Sequence, residues 1–200
     1  MNVQTTLYSI GHGQKPLDEF CEELISFGIQ YVIDVRSSPF SKWAPQYNQK
    51  EINLYLRSNG IVYAYMGNTI GGRPINEFCY DEEGHFDYQK MAQEPSFKEG
   101  LLRLVNANER QFNVAVMCSE SDPSQCHRSK LIGRELYENY HINMKHIVSA
   151  DEFIDEVHVI MKLTKEQWTP PDKSLFPYPM PYFKSRKTYK EETEDILDYD

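Results

Sequence analysis

The sequence predicts a single α/β domain whose mostly parallel sheet has about five strands and is flanked by helices. Short apolar runs alternate with segments of helical periodicity, and glycine or proline separates most of them. Alternating strands and helices favour parallel strands with helices packed on the sheet. The 200 residues are enough for one complete core. We expect residues 1–168 to form this domain and residues 169–200 to form a C-terminal tail.

The first half of the chain supplies three predicted strands and two predicted helices. Strands are expected at residues 5–10, 31–35 and 61–65, and helices at residues 17–27 and 51–58. Pro16 is well placed to open the first helix, because the N–H that proline lacks has no partner there.

The second half continues the alternation. Residues 96–107 and 129–140 have helical periodicity, and residues 113–117 and 144–148 form apolar strands. A last helix is expected to begin at a Ser149 or Asp151 cap and to run to about residue 167.

One long segment interrupts this pattern. Residues 73–93 are irregular and acidic, and we expect an insertion with one helical turn near residues 88–92. Long loops of this kind often cover binding sites, but many are surface excursions, so both interpretations stay open here.

The tail differs in composition from the domain. Residues 169–183 are rich in proline and aromatic residues, and a cationic stretch and then an acidic end at residues 191–200 follow. An extended strap lying on the domain is expected, because exposing so many aromatic rings to water is costly.

Charge and cysteine content limit the possible functions. The net charge of −9 disfavours general binding along a nucleic acid backbone, although a local basic site remains possible. The chain begins without a secretory pattern and has no apolar stretch of about 18 residues, so no membrane partner is expected. We expect a cytoplasmic protein with four reduced cysteines, Cys21, Cys79, Cys118 and Cys126.

Polar groups and glycines follow four of the predicted strands. Ligands of parallel α/β sheets bind outside the carboxyl ends of the strands, so these groups are expected to share one site. They are, in strand order, Gly11 and His12; Asp34 and Arg36; Gly71 and Gly72; and Cys118 and Glu120.

An anionic ligand is the first interpretation of this site. Arg36 ends one strand, and Arg128 opens a helix whose N–H groups and dipole favour an anion. Gly11, Gly71 and Gly72 would let the backbone approach a ligand closely. The expected partner is an anionic small molecule or a nucleic acid end. Alternatively, Asp34 and Glu120 neutralise the arginines in a purely structural brace.

Thiol chemistry is the second interpretation. Cys118 lies at a strand end and Cys126 near a helix start, where the pKa of a thiol is lowered. Cys118 is the candidate nucleophile, and His12, Asp34 and Glu120 are candidate acids or bases. Cys118 could instead be a buried small apolar side chain.

A metal site is disfavoured at this point. Cys118, Cys126, His127 and His12 offer metal-binding atoms, but their spacing matches no common zinc motif, and adjacent Cys and His side chains rarely face one metal. We expect no metal and no cofactor.

These motifs together resemble domain-of-unknown-function family 488, over about residues 5–150. The activity of that family is not established, so the resemblance implies a shared site without naming its chemistry. The matching pieces are Ser9-Ile10-Gly11-His12, Asp34-Val35-Arg36 with Pro39, Gly71-Gly72, and Cys118-x-Glu120 to Cys126-His127-Arg128.

The sequence therefore favours an enzyme that acts on a phosphate-bearing or nucleic-acid-related ligand. Cys118, His12, Asp34 and Glu120 are its candidate catalytic residues. The candidate ligand-binding residues are Arg36, Gly11, Gly71, Gly72, Cys126, His127 and Arg128. The alternative is a domain that recognises an anion or a nucleic acid end without chemistry.

Overall fold

The computed structural model describes residues 5–175 and 178–188. The pair at 176–177 and the acidic end at 191–200, which the sequence assigns to the tail, lie outside the described residues.

The strands form a six-stranded sheet and a separate two-stranded sheet. They are β1 (Leu7–Gly11), β2 (Tyr31–Asp34), β3 (Val62–Tyr65), β4 (His85–Asp87), β5 (Val114–Cys118), β6 (Lys145–Ile147), β7 (Phe153–Asp155) and β8 (Lys184–Thr188). The large sheet has the order β3-β2-β5-β1-β6-β7, and β4 pairs with β8. Its first five strands are parallel, and β7 runs antiparallel to β6. The predicted α/β class and mostly parallel sheet are confirmed.

The connections between the strands are mainly helical. The α-helices are α1 (Leu17–Ser26), α2 (Gln49–Ser58), α3 (Gly67–Ile70), α4 (Tyr88–Met91), α5 (Pro95–Glu109), α6 (Arg134–Tyr140) and α7 (Glu156–Leu163). A π-helical segment, Arg128–Gly133, leads into α6, and short 3-10 turns lie at Pro45–Tyr47, Glu77–Cys79, Pro123–Gln125 and Pro171–Lys173. Within residues 5–175 and 178–188, no helix has the length and apolar character that crossing a bilayer requires.

The core lies on both faces of the large sheet, and β5 is buried along its whole length. Successive side chains of a strand point to opposite faces. Val116 therefore joins the cluster that contains Leu101 of α5, while Met117 joins the cluster that contains Leu24 of α1 and Leu56 of α2. A strand buried on both faces belongs in the middle of a parallel sheet. Its carboxyl end is thereby fixed at the centre of one sheet edge.

The prediction of a helix beginning at Ser149 or Asp151 was wrong, because the last strand of the large sheet, β7, comes before that helix. The backbone N–H groups of Val148 and Ser149 both donate to the carbonyl of Glu152, at 3.0 and 3.3 Å, and this turn folds the chain back along β6. β7 follows, and α7 begins only at Glu156. The exposed ring of Phe153 packs edge-on against Phe27, which local helical periodicity does not reveal.

The insertion and the tail are joined to each other. The predicted helical turn is present as α4, but the insertion also contains β4, which pairs antiparallel with β8 of the tail. Upstream of β8, Arg134 donates to the carbonyl of Met180 at 2.7 Å, and Trp168 and Met180 are buried. The described part of the tail is thus an extended strap on the domain, as predicted.

Candidate functional site

The strand ends singled out in the sequence meet at one edge of the sheet. β2, β5 and β1 are neighbours, with Asp34 in register with Met117 and Gly11 with Cys118. Past the strand end, the backbone N–H of His12 donates to the carbonyl of Cys118 at 3.0 Å. The segments that begin at His12, Asp34 and Cys118 therefore start side by side.

A pocket of about 500 Å³ opens at this edge. His12, Arg36 and Gly72 line it from the strand ends, and Cys118, Glu120, Cys126 and His127 line it from β5 and the loop that follows. The remaining walls come from residues 37–43, from the insertion and from β8. The pocket thus depends on segments that lie far apart in the sequence.

Cationic side chains dominate the charge of the lining. Glu120 is the one carboxylate among the lining residues, whereas the cations are Arg36, Lys42, Arg73, Arg186 and Lys187. The sequence pointed to Arg36 alone among these five. The other four come from an irregular loop, the insertion and the tail, whose positions the pattern of strands and helices does not determine.

Arg36 is held in place by Asp34. Arg36 Nε and Nη2 donate to the Asp34 carboxylate at 2.9 and 2.6 Å, and Nη2 also donates to the Tyr47 carbonyl at 2.7 Å. Tyr63 donates its hydroxyl to the same carboxylate at 2.8 Å. Burial works to lower the pKa of Arg36, but the bonded Asp34 outweighs it and raises that pKa. Asp34 is fully buried, so it orients Arg36 from behind the pocket wall.

His12 is a neutral imidazole packed against Arg36. Its Nδ1 lies 2.8 Å from the Gly13 carbonyl, which can only accept, so Nδ1 carries the proton. Nε2 then accepts from Arg36 Nη1 at 3.3 Å. Burial and the charge of Arg36 lower the pKa of His12 to about 4. The ring also stacks on Tyr47, with centroids 4.1 Å apart.

Two thiols, a carboxylate and an imidazole form a cluster at the pocket floor. Glu120 Oε2 lies 2.9 Å from Cys118 Sγ and 3.4 Å from Cys126 Sγ. His127 Nδ1 lies 3.9 Å from Cys118 Sγ and 3.6 Å from Cys126 Sγ. We call Cys118, Glu120, Cys126 and His127 the thiol cluster.

The two thiols differ in their acidity. The hydrogen bond to Cys126 and burial raise the pKa of Cys118. Burial also opposes ionisation of Cys126, but the hydrogen bond from Cys118 and the nearby charges of Arg128 and His127 hold its pKa well below the usual value. The pKa of His127 is raised in turn, because Cys126 outweighs the effect of burial. The positions of Cys118 and Cys126 in the sequence do not predict this difference in acidity.

Arg128 lies behind the cluster rather than on the pocket surface. The side chain is 1% exposed and does not line the pocket. Its Nε donates to Cys126 Sγ at 3.3 Å, its Nη1 donates to Ser9 Oγ at 3.2 Å, and its Nη2 donates to the Glu120 carbonyl. Arg128 therefore fixes the loop and the sulfur, and in this structure it has no direct path to a ligand.

Two of the three predicted glycines pack against protein backbone. A Cβ at Gly11 would come within 2.0 Å of the Glu120 carbonyl oxygen, and one at Gly71 within 2.1 Å of the Gly67 oxygen. Gly72 does line the pocket, and a Cβ there would lie 2.8 Å from His127 Nδ1. All three positions need glycine because protein atoms already occupy the space.

A buried chain of hydrogen bonds extends from Arg128 into the core. Ser9 Oγ, which accepts from Arg128, lies 2.6 Å from His146 Nδ1, and His146 Nε2 lies 2.6 Å from Glu156 Oε2. Ser129 donates to the other oxygen of Glu156 at 2.9 Å. Burial raises the pKa of Glu156, against the lowering effect of its bonded His146. No sequence pattern indicated these partners of His146.

Comparison with known proteins adds a family. A family model described as domain of unknown function DUF488 matches residues 16–134, which is more than half of the chain. The chain belongs to the DUF488 family. The DUF488 match contains the thiol cluster, Asp34 and Arg36, while His12 lies just before it. No curated protein and no solved structure matches the chain. The DUF488 description names no activity, so membership in the family does not assign a function to the pocket.

Proposed function

We propose that this DUF488 chain is an enzyme and that its pocket binds a phosphate-bearing ligand, either a nucleotide or a nucleic acid end. The observation that carries the proposal is the charge of the pocket. Five cationic side chains and one carboxylate line it, although the whole chain has a net charge of −9. Such a local concentration of positive charge attracts an anion even to an acidic protein.

Arg36 is the best-ordered contact for a phosphate. Asp34 and the Tyr47 carbonyl already fix its orientation, and one Nη1 N–H remains to donate to a phosphate oxygen. Fixing a charged side chain before binding reduces the entropy lost when the ligand arrives. Asp34 and His12 act in this proposal as positioning residues for Arg36.

Aromatic side chains at the same pocket favour a ligand with a base. Phe40 and Trp43 both line the pocket, yet 58% and 76% of their surfaces are exposed. Exposed rings beside cationic side chains are the combination that binds single-stranded nucleic acids and nucleotides, since every base offers a face for stacking. Phe86 and Tyr88 add two further rings to the wall.

The thiol cluster is what favours an enzyme over a recognition domain. Recognition needs the cations and rings, but it does not need two thiols, a carboxylate and an imidazole at the pocket floor. Glu120 is exposed and touches both sulfurs, so it is placed to move a proton between the cluster and a bound ligand. Arg128 supports this arrangement as a positioning residue.

A thermal-shift screen with phosphate, sulfate, nucleotides and short oligonucleotides tests the binding. A ligand present at 100 times its Kd stabilises the folded state by about 2.7 kcal/mol. Arg186→Gln should reduce the shift, because it removes a lining cation from β8. Arg103→Gln on the exposed side of α5 removes the same charge away from the pocket and should not. Equal shifts in both variants, or none with any ligand, would refute the proposal.

Product analysis separates the enzyme from the recognition domain. The ligand giving the largest shift is incubated with the wild type and with Glu120→Gln, and its mass is followed. We expect conversion by the wild type, and binding with little conversion by Glu120→Gln. Binding without conversion of any ligand by the wild type would favour the recognition domain.

A further inference from the structure

Three donor atoms of the thiol cluster are spaced like three corners of a coordination tetrahedron. Cys118 Sγ, Cys126 Sγ and a ring nitrogen of His127 all lie within 4.8 Å of one another. Zinc bonds of about 2.3 Å to sulfur and about 2.0–2.1 Å to nitrogen give a regular tetrahedron a sulfur–nitrogen edge of about 3.6 Å. The two edges observed here measure 3.9 and 3.6 Å.

The lone pair of His127 points at both sulfurs. His127 Nε2 lies 3.2 Å from the carbonyl oxygen of Val35, which can only accept a hydrogen bond. Nε2 therefore carries a proton, and when the ring is neutral Nδ1 keeps its lone pair towards the cluster. An imidazole whose second nitrogen donates to a backbone carbonyl is the usual arrangement of a metal-binding histidine.

Glu120 is the nearest candidate for the fourth corner, although its carboxylate lies outside the group of three donor atoms that are within 4.8 Å of one another. Its side chain is exposed, yet Oε2 folds back to 2.9 Å from one sulfur and 3.4 Å from the other. With both thiols ionised, the two sulfurs and the carboxylate would repel one another unless a cation lay between them. The backbone N–H and Nε of Arg128 donate to Cys126 Sγ at 3.5 and 3.3 Å. Hydrogen bonds of this kind commonly orient the residues that bind a metal.

The local backbone explains how adjacent residues can share one metal. Cys126 is extended, with φ −119° and ψ 151°, whereas His127 has helical angles, φ −65° and ψ −15°. The change of conformation between them turns both side chains to the same side. The sequence predicted no metal because adjacent Cys and His side chains rarely face one ion. The backbone conformation here removes that objection.

We propose that Cys118, Cys126 and His127 bind a zinc ion and that the exposed side chain of Glu120 rotates to occupy its fourth position. Two sulfur donors with one imidazole select zinc over magnesium or calcium, which require oxygen donors. The cluster lines the pocket, so a ligand oxygen can replace the exposed Glu120 on the ion. The zinc site is independent of which ligand the pocket takes.

Cobalt substitution tests this site directly. The full chain is stripped of metal with a chelator under reducing conditions and titrated with Co²⁺, and the thiolate-to-cobalt absorption is recorded. We expect saturation at one ion per chain, tetrahedral d–d bands, and displacement of Co²⁺ by Zn²⁺. Cys118→Ala and Cys126→Ala should each weaken the affinity by at least about 100-fold, since even changes outside the ligand set cost 10–100-fold.

Matched variants keep the test decisive. Cys21→Ala removes another buried thiol and should leave the cobalt spectrum unchanged. Glu120→Gln changes an exposed side chain, so it should fold, bind Co²⁺ more weakly and shift the d–d bands. No thiolate absorption in the wild type, or equal affinity in wild type, Cys126→Ala and Glu120→Gln, would overturn the proposal. Arg186→Gln should keep the cobalt spectrum while reducing the anion-dependent thermal shift, so the two proposals fail separately.

Discussion

At the scale of single residues, the site rests on buried polar groups that satisfy one another. Arg128, Ser9, His146 and Glu156 are each at most 1% exposed, and hydrogen bonds join them in a continuous chain. A buried charge without partners costs several kcal/mol, so each member of the chain depends on the next. The chain ties β1, β6 and α7 to the residue that holds Cys126.

Removing the hydroxyl of Ser9 should break this chain at its centre. Ser9→Ala leaves Arg128 Nη1 and His146 Nδ1 without their shared partner. We expect the free energy of unfolding, measured with urea, to fall by about 1–3 kcal/mol. Ser58→Ala, on the exposed end of α2, should change it by less than about 0.5 kcal/mol. Equal effects of the two substitutions would show that the buried chain contributes little.

At the scale of elements, the pocket is completed by the pairing of β4 with β8. Phe86 of β4 and Ser185, Arg186 and Lys187 of β8 line the pocket. Phe86 N donates to Ser185 Oγ at 2.9 Å, and Lys184 Nζ forms an ion pair with Asp81 at 2.7 Å. The tail strand therefore contributes charge to a pocket whose thiol cluster comes from the end of β5 and the loop that follows it.

Truncation after Phe183 should separate folding from ligand binding. It removes β8 and two lining cations but keeps every strand of the large sheet. We expect a cooperative unfolding transition to persist and the affinity for the best anionic ligand to fall at least about tenfold, or about 1.4 kcal/mol. Truncation after Thr188 keeps β8 and is the matched control. Full affinity in the shorter chain would exclude β8 from the site.

The Asp81–Lys184 pair should make the docking of β8 depend on pH. The hydrogen bond from Lys184 lowers the pKa of Asp81 from 3.8 to about 2. A carboxyl whose folded pKa is depressed stabilises the fold above its ordinary pKa and loses that effect as pH falls through the folded value. Near neutral pH, Asp81→Asn should thus speed hydrogen exchange of the β8 amides relative to wild type. This difference should disappear between about pH 4 and about pH 2. A difference in exchange rate that persists at about pH 2 would contradict the role assigned to the Asp81–Lys184 pair.

The sequence predicted the large sheet better than its additions for a physical reason. β1, β2, β3, β5 and β6 are parts of a local strand–helix alternation. β4, β7 and β8 lie outside this alternation, and their pairing depends on partners that the alternation does not specify. The same distinction holds in the site. Cys118 and Arg36 follow strands and were found, whereas Arg73 and Arg186 belong to the insertion and the tail and were missed.

At the scale of the whole molecule, charge is unevenly distributed. A chain of net charge −9 places five cations around one pocket. The net negative charge disfavours indiscriminate binding along a nucleic acid, while the lining cations are consistent with the proposed binding of a single phosphate group or strand end. Because such attraction is screened by salt, the affinity for an anionic ligand should fall as ionic strength rises.

Calorimetric titration with a nucleotide at two salt concentrations is the most direct test of the anion-binding pocket. The matched titrants are the corresponding nucleoside, which lacks the phosphate, and inorganic phosphate, which lacks the base. We predict that the nucleotide binds more tightly than either matched titrant and that its affinity falls at the higher salt concentration. The double substitution Arg186→Gln and Lys187→Gln should lower the affinity for the nucleotide relative to the wild type. A nucleoside that binds as tightly as the nucleotide, or an affinity insensitive to both salt and the double substitution, would contradict the account.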